Sequence, residues 1–195
     1  MDQNLLSHNL KAVFILRLIS TVSFGVFFCS LSLIMLQTFH LSAASAASLS
    51  ALFFGFYYTL PLLGGRVGDY VKNYKQMFIT GKCFQLISAL ILIYAIQHQE
   101  YLYLGLGLFL VDSMVSTVSL NMFITNCFEQ KNTAERRVAF VKAHVYANIG
   151  FILALIISGA IYRFSSIDFL FYVSAAFSIL TLLYSYFCIK PEVII

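Results

Sequence analysis

Long apolar runs alternate along the chain with short polar breaks, and each run lasts about twenty residues. Roughly 20 consecutive apolar residues cross a bilayer as an α-helix, whereas barrel strands need short segments of alternating polarity. The pattern predicts an all-α polytopic membrane protein, a single domain of 195 residues with six transmembrane helices. They fall at about 12–37, 46–65, 76–96, 102–126, 143–162 and 167–188, with connections at 38–45, 66–75, 97–101, 127–142 and 163–166. In the second span Ala47, Ala51 and Gly55 recur every four residues beside Ala44 and Ser48. That stripe predicts close packing against another helix, since small residues let backbones approach where lipid offers no hydrophobic drive. Pro61 removes one backbone hydrogen bond and is expected to bend the same helix.

Composition closes off the soluble alternatives. Hydrophobic residues make up 61% of the chain and charged residues 10%, against about 25% charged in an ordinary soluble domain. The net charge is +4, and its placement matters more than its size. Lys11, Arg66, Lys72, Lys75, Lys131, Arg136, Arg137 and Lys190 all fall on one side of the predicted topology, while Arg163 is the basic residue of the connections opposite. The positive-inside rule then places both termini in the cytoplasm, with a plasma (inner) membrane as the expected location.

Several chemistries have no support. Cys29, Cys83, Cys127 and Cys188 are scattered, with no CxxC and no histidine at ligand spacing, so neither a disulfide framework nor a metal site is expected. No basic stripe interleaved with aromatics points to nucleic acid. A nucleophile with its base, a phosphate-cradling loop and HExxH are all missing. The reading is a non-enzyme without cofactors. Residues 1–11 are polar, and the run that follows is too long for a signal peptide.

Residues 52–75 read LFFGFYYTLPLLGGRVGDYVKNYK. An aromatic-rich helix, a proline, two glycines, an aspartate four residues on and then basic residues resemble the second-helix end and following loop of the major facilitator superfamily. More narrowly, they resemble the proton-dependent oligopeptide transporters. The matching positions are Pro61, Gly64, Gly65, Asp69 and Lys75, with Asn73 where a glycine is usual. On this reading the glycines turn the chain at the membrane surface, and Asp69 pairs with neighbouring cations or faces a helix N-terminus. Arg136, Arg137, Phe140, Asn148 and Gly150 fit the family's entry into the fifth span, with His144 in place of a tyrosine. Gly105, Gly107 and Phe109 fit a motif of the fourth. The resemblance implies a six-helix bundle of two inverted three-helix repeats, one half of a transporter whose substrate sits between two halves.

Departures from the family pattern are equally specific. With Gly25 aligned to the first-helix glycine, the family's acidic pair falls on Leu16 and Ile19 and its arginine on Ser20, while Arg17 lies one turn earlier. The fourth-helix lysine falls on Leu110 and a nearby asparagine on Asp112.

Charges inside a membrane cost at least about 2.5–3.5 kcal/mol each on insertion scales, so each such residue is a candidate. Asp112 lies ten residues past Leu102, about 15 Å deep at 1.5 Å per residue. Ser116, Ser119 and Asn126 follow on the same helical face. Asp112 reads either as a proton-titrating or cation-binding carboxylate lining a cavity, or as an acid clasped by a lysine or arginine of a neighbouring helix. Arg17 shares a side with Thr21 and Ser32 and is close enough to the helix end to snorkel; Lys82 is expected to snorkel too. His144 and Asn148 share a face and are expected to hydrogen-bond between helices. Phenylalanine and tyrosine read as lipid-facing bulk and interface anchors.

Together these features predict the N-terminal half of a secondary transporter, taking up small peptides or similar solutes with protons. Asp112, Arg17, His144, Asn148 and Ser116 are the transport candidates, and Gly64, Gly65, Asp69 and Lys75 the cytoplasmic loop motif. The expected partners are a peptide or other small-molecule substrate, protons, the lipid bilayer, and either a separate C-terminal six-helix half or a second copy. The rival reading is a truncated or non-transporting six-helix module that acts as an assembly partner.

Overall fold

The computed structural model describes residues 3–71, 73–127 and 133–189. Within them run α1 (Gln3–Gln37), α2 (Ala43–Val71), α3 (Tyr74–His98), α4 (Leu102–Asp112), a π-helical turn (Ser113–Thr117), α5 (Val118–Cys127), α6 (Thr133–Phe164) and α7 (Asp168–Cys188). The π turn joins α4 and α5 into one continuous fourth span, so six helices are long and apolar enough to cross a membrane. Their connections follow local chemistry. Ser42 Oγ accepts the Ser45 backbone N–H before α2, and Asn73 Oδ1 accepts that of Gln76 at the start of α3. Gln99 and Tyr101 take left-handed backbone, at φ 54° and 61°, which turns the chain back between α3 and α4.

The helices divide into packed and open members. α1 lies along α6 and α7, α3 along α4 and α7, and α2 against the π turn and α5. Only 17% of the apolar stretch of α2 or α6 is buried, against 44% for α1. The small-residue stripe of α2 belongs to the open side: Ala44, Ala47, Ser48, Ala51 and Gly55 are exposed, and nothing lies within 4 Å of a side chain added at Gly55. The close helix contact expected of that stripe is not made among the described residues.

One expectation fails outright. The 66–75 connection is helical through Val71, and the Gly64–Gly65 pair forms no turn, since no glycine has positive φ. Gly64 and Gly68 recur one turn apart on the face of α2 that meets the fourth span. A Cβ at Gly64 would fall inside the Met114 carbonyl, and one at Gly68 inside the Met122 thioether. Arg66 and Asp69 rotate outward on the same helix and are exposed. The glycines serve close approach rather than chain reversal.

Pro61 contributes through the bond it lacks. Its ring nitrogen cannot donate to the carbonyl of Tyr57 four residues back. Ser113 Oγ, at the start of the π turn, donates to that carbonyl instead at 3.1 Å. A backbone acceptor freed in α2 is thus satisfied from the fourth span, as an apolar medium requires. Ser119 Oγ likewise donates to the Ser116 carbonyl at 2.8 Å, satisfying a carbonyl of the π turn.

Two apolar clusters bracket a polar layer. Val13, Leu16, Phe78, Phe123 and Ile124 pack at one end, and Phe27, Leu31, Phe53, Leu92, Phe109 and Phe171 at the other. Between them, at mid-span, lie Ser23 of α1, Lys82 and Gln85 of α3, Asp112, and Ser174 and Ser178 of α7, all buried.

Candidate functional site

The polar layer opens on one side into a cavity of about 410 Å³, within the usual range of small-molecule sites of ~300–1,000 Å³. Five of the six spans line it: Arg17, Thr21 and Phe24 from α1, Tyr57 and Pro61 from α2, Lys82 from α3, Asp112 and Ser116 from the fourth span, and Asn148 and Phe151 from α6. Its walls join apolar rings to a few convergent polar groups. Phe24 stacks on Tyr57 with centroids 4.5 Å apart, and Phe27 on Phe109 just behind at 4.0 Å, which holds the ring wall in place.

Asp112 and Lys82 form the floor. Lys82 Nζ lies 3.2 Å from Asp112 Oδ2, with both residues nearly sealed from solvent at 3% and 4% exposure. Lys82 sits eight residues into α3 and Asp112 ten residues past Leu102, so the two opposed helices bring them to similar depth, ~12–15 Å from opposite ends. The approach depends on Gly81, where a Cβ would press on Ser116 at 2.9 Å and Asp112 Oδ1 at 3.3 Å. Asp112 Oδ1 has no hydrogen-bond partner among the described residues. The expected choice between a cavity-lining acid and a clasped acid does not arise, because Asp112 is both.

Behind the pair the network runs on. Lys82 Nζ also donates to Gln85 Oε1 at 2.7 Å, and Gln85 Nε2 donates to Ser23 Oγ at 3.0 Å. Ser23 Oγ donates to the Ser174 carbonyl at 2.9 Å and lies 2.9 Å from Ser178 Oγ. The chain of contacts passes from the fourth span through α3 and α1 to α7.

Among the other candidates, Arg17 lines the cavity and has no ion-pair partner among the described residues. Its helix neighbour Thr21 donates to the Arg17 carbonyl, while Ser32 pairs with Ser50 outside the cavity. Ser116 and Asn148 line the cavity. His144 is exposed away from it, and neither it nor Asn148 makes the expected interhelical hydrogen bond among the described residues. Ser119 Oγ donates to the Ser116 carbonyl, and the Asn126 side chain lies outside the described residues. Of the loop motif, Gly64 packs on the π turn, Gly65 meets open space, and Asp69 is exposed. Lys75 Nζ, in the first turn of α3, donates to the Tyr186 and Ile189 carbonyls and caps α7. Lys72, Lys131 and Lys190 fall outside the described residues.

Two sequence readings are corrected here. Lys82 does not snorkel; Asp112 gives it a buried counter-charge. Phe24, Phe28, Tyr57 and Tyr58 line the cavity rather than serving only as lipid-facing bulk. Span periodicity alone does not reveal either, since both depend on which helices become neighbours.

Six apolar helices around a one-sided polar cavity mark an integral, multi-pass membrane protein. A family model of the Major Facilitator Superfamily matches residues 13–193, and the chain belongs to that family of transporters rather than to an enzyme class. Dipeptide and tripeptide permease B of Aliivibrio fischeri (strain MJ11) is 25% identical over 136 residues, covering 70% of this chain and 27% of the permease. The crystal structure of peptide transporter POT with sulfate superposes with a TM-score of 0.80 at 15% identity, covering 91% of this chain and 37% of that one. A POT mutant with alafosfalin gives 0.82 at 14% identity, covering 95% and 41%. These structural likenesses show the fold, and the chain spans well under half the length of each relative.

Proposed function

We propose that the chain forms one six-helix half of a proton-coupled carrier for small peptides, with both termini in the cytoplasm and the membrane being the plasma (inner) membrane. The observation that carries this reading is the cavity itself, where Arg17, Lys82 and Asp112 meet at mid-depth beneath an aromatic wall. The permease similarity points to the substrate class. The family assignment favours a carrier over a non-transporting module.

Each group has a distinct task in this mechanism. Lys82 and Asp112 compensate each other, which leaves Arg17 as the uncancelled charge of the cavity. A guanidinium presents a planar fork that suits a carboxylate, so Arg17 receives the C-terminal carboxylate of the peptide. Phe24, Phe28 and Tyr57 accept side chains, and Asn148 and Ser116 offer hydrogen bonds to peptide groups. Asp112 takes the coupled proton at Oδ1, and losing its charge loosens its hold on Lys82. The open faces of α2 and α6 meet the second half, which rocks against this one to expose the cavity to each side in turn.

A thermal-shift series on the complete purified polypeptide tests the substrate assignment. Dipeptides with a free C-terminal carboxylate are expected to raise the unfolding midpoint with concentration, as a ligand of the native state must. C-terminally amidated dipeptides are expected to do so far less, and Arg17→Gln to erase the difference. Equal stabilisation by both forms in the wild type removes Arg17 from substrate binding.

A further inference from the structure

We propose that Gln85 is a positioning residue for the Lys82–Asp112 pair: it holds the Lys82 ammonium when Asp112 is protonated, and so sets the pH at which the pair takes its proton. This rests on the reading of Asp112 as the coupled acid.

The geometry assigns Gln85 the task. It is fully buried, at 0% exposure, one turn along α3 from Lys82, and it receives the shorter of the two Lys82 hydrogen bonds. Because both residues belong to one helix, this contact survives any movement of the fourth span, whereas the contact to Asp112 does not. The amide orientation follows from donor chemistry. Lys82 only donates, so Gln85 must offer it oxygen. Gln85 Nε2 then faces Ser23 Oγ, whose own proton goes to the Ser174 carbonyl of α7. Three helices thus fix one amide oxygen on one ammonium.

The consequence has a sign. Protonating Asp112 removes the counter-charge of Lys82 and leaves Gln85 as the acceptor that the buried ammonium keeps. Without that oxygen the protonated-acid state leaves the buried ammonium only the neutral carbonyl oxygen of Asp112, Oδ2, as its acceptor in the network, which is costly. Proton uptake must then move to lower pH. A glutamate at position 85 acts oppositely, because it supplies Lys82 with another anion and repels the Asp112 charge, moving uptake to higher pH. The other charged or titratable groups lining the cavity beside the pair are Arg17 of α1 and Tyr57 and Tyr58 of α2. The π turn faces it with Ser113 and Ser116, α6 with Asn148 and α7 with hydroxyls, so none of these adds a titrating group among the described residues.

The test is a pH titration of the protonated-carboxyl infrared band of the complete polypeptide in lipid nanodiscs, with the band assigned by its loss in Asp112→Asn. Gln85→Met is expected to lower the midpoint, and Gln85→Glu, read against the Gln85→Glu/Asp112→Asn background, to raise it. Each shift should be about tenfold in proton concentration, the scale of one hydrogen bond to a charged group. Midpoints that stay put, or that move in the same direction, overturn the role of Gln85 while Asp112 stands. Should the methionine variant not fold, the glutamate arm decides alone. A titrating band that persists in Asp112→Asn sinks the reading of Asp112 itself, and the inference with it.

Discussion

Asp69 and Asp112 are both aspartates of apolar helices, and their surroundings could hardly differ more. Asp69 sits exposed near the end of α2, where water or headgroups solvate it. Asp112 is 4% exposed at mid-span and meets Lys82 at 3.2 Å. At the membrane surface a carboxylate needs no partner, whereas at depth it persists only with a counter-charge. A buried pair of this kind is a poor source of net stability but is badly hurt when one partner is removed. Its place in the cavity floor accords with the functional role proposed for it.

That contrast can be broken most severely at Lys82. Lys82→Met strands a buried carboxylate and is expected to cost about 3–5 kcal/mol, read as a large fall in the thermal unfolding midpoint in detergent. The double variant Lys82→Met/Asp112→Leu should recover most of that loss. A single variant as stable as the wild type breaks the contrast.

Ser113→Ala and Gly64→Val probe the neighbouring seam between α2 and the fourth span. The alanine orphans the Tyr57 carbonyl, at about 1–3 kcal/mol. If Pro61 is the cause, Pro61→Ala in the same chain restores a helical donor and removes most of the penalty in a double-mutant cycle. Gly64→Val drives a side chain into the Met114 carbonyl and should also cost about 1–3 kcal/mol. Gly65→Ala, facing open space, should change the unfolding midpoint very little.

Asp69→Asn should have the smallest effect on stability, within about 0.5 kcal/mol. If the exposed motif steadies one conformer of the carrier, transport turnover slows in this variant while the unfolding midpoint holds. A loss of stability near that of Lys82→Met would show that the two aspartates are not different in kind.

Much of the architecture was legible because the membrane imposes a coarse rule: a long apolar run must be a helix. The six spans and the mid-depth position of Asp112 follow from that rule. The reach of α2 through Val71 did not, because Gly64, Gly65, Arg66 and Asp69 resemble a loop until the helix is wound and the charges rotate outward. Lys82 gave no sign of its partner, since a pair 30 residues apart is visible only once α3 and α4 are neighbours. The π turn has no sequence signature, although Pro61 and Ser113 form a matched defect and repair in hindsight. The distance of His144 from the cavity was hidden for a related reason. It shares a face with Asn148, but the cavity reaches only one turn of α6.

Gradient-driven uptake most directly tests the claim that the Asp112 carboxyl couples protons to peptide movement. A labelled dipeptide is followed into proteoliposomes of the complete polypeptide under an imposed pH gradient, and in parallel by exchange without one. The account predicts that Asp112→Asn still exchanges peptide but no longer accumulates it. Undiminished accumulation by this variant would contradict it.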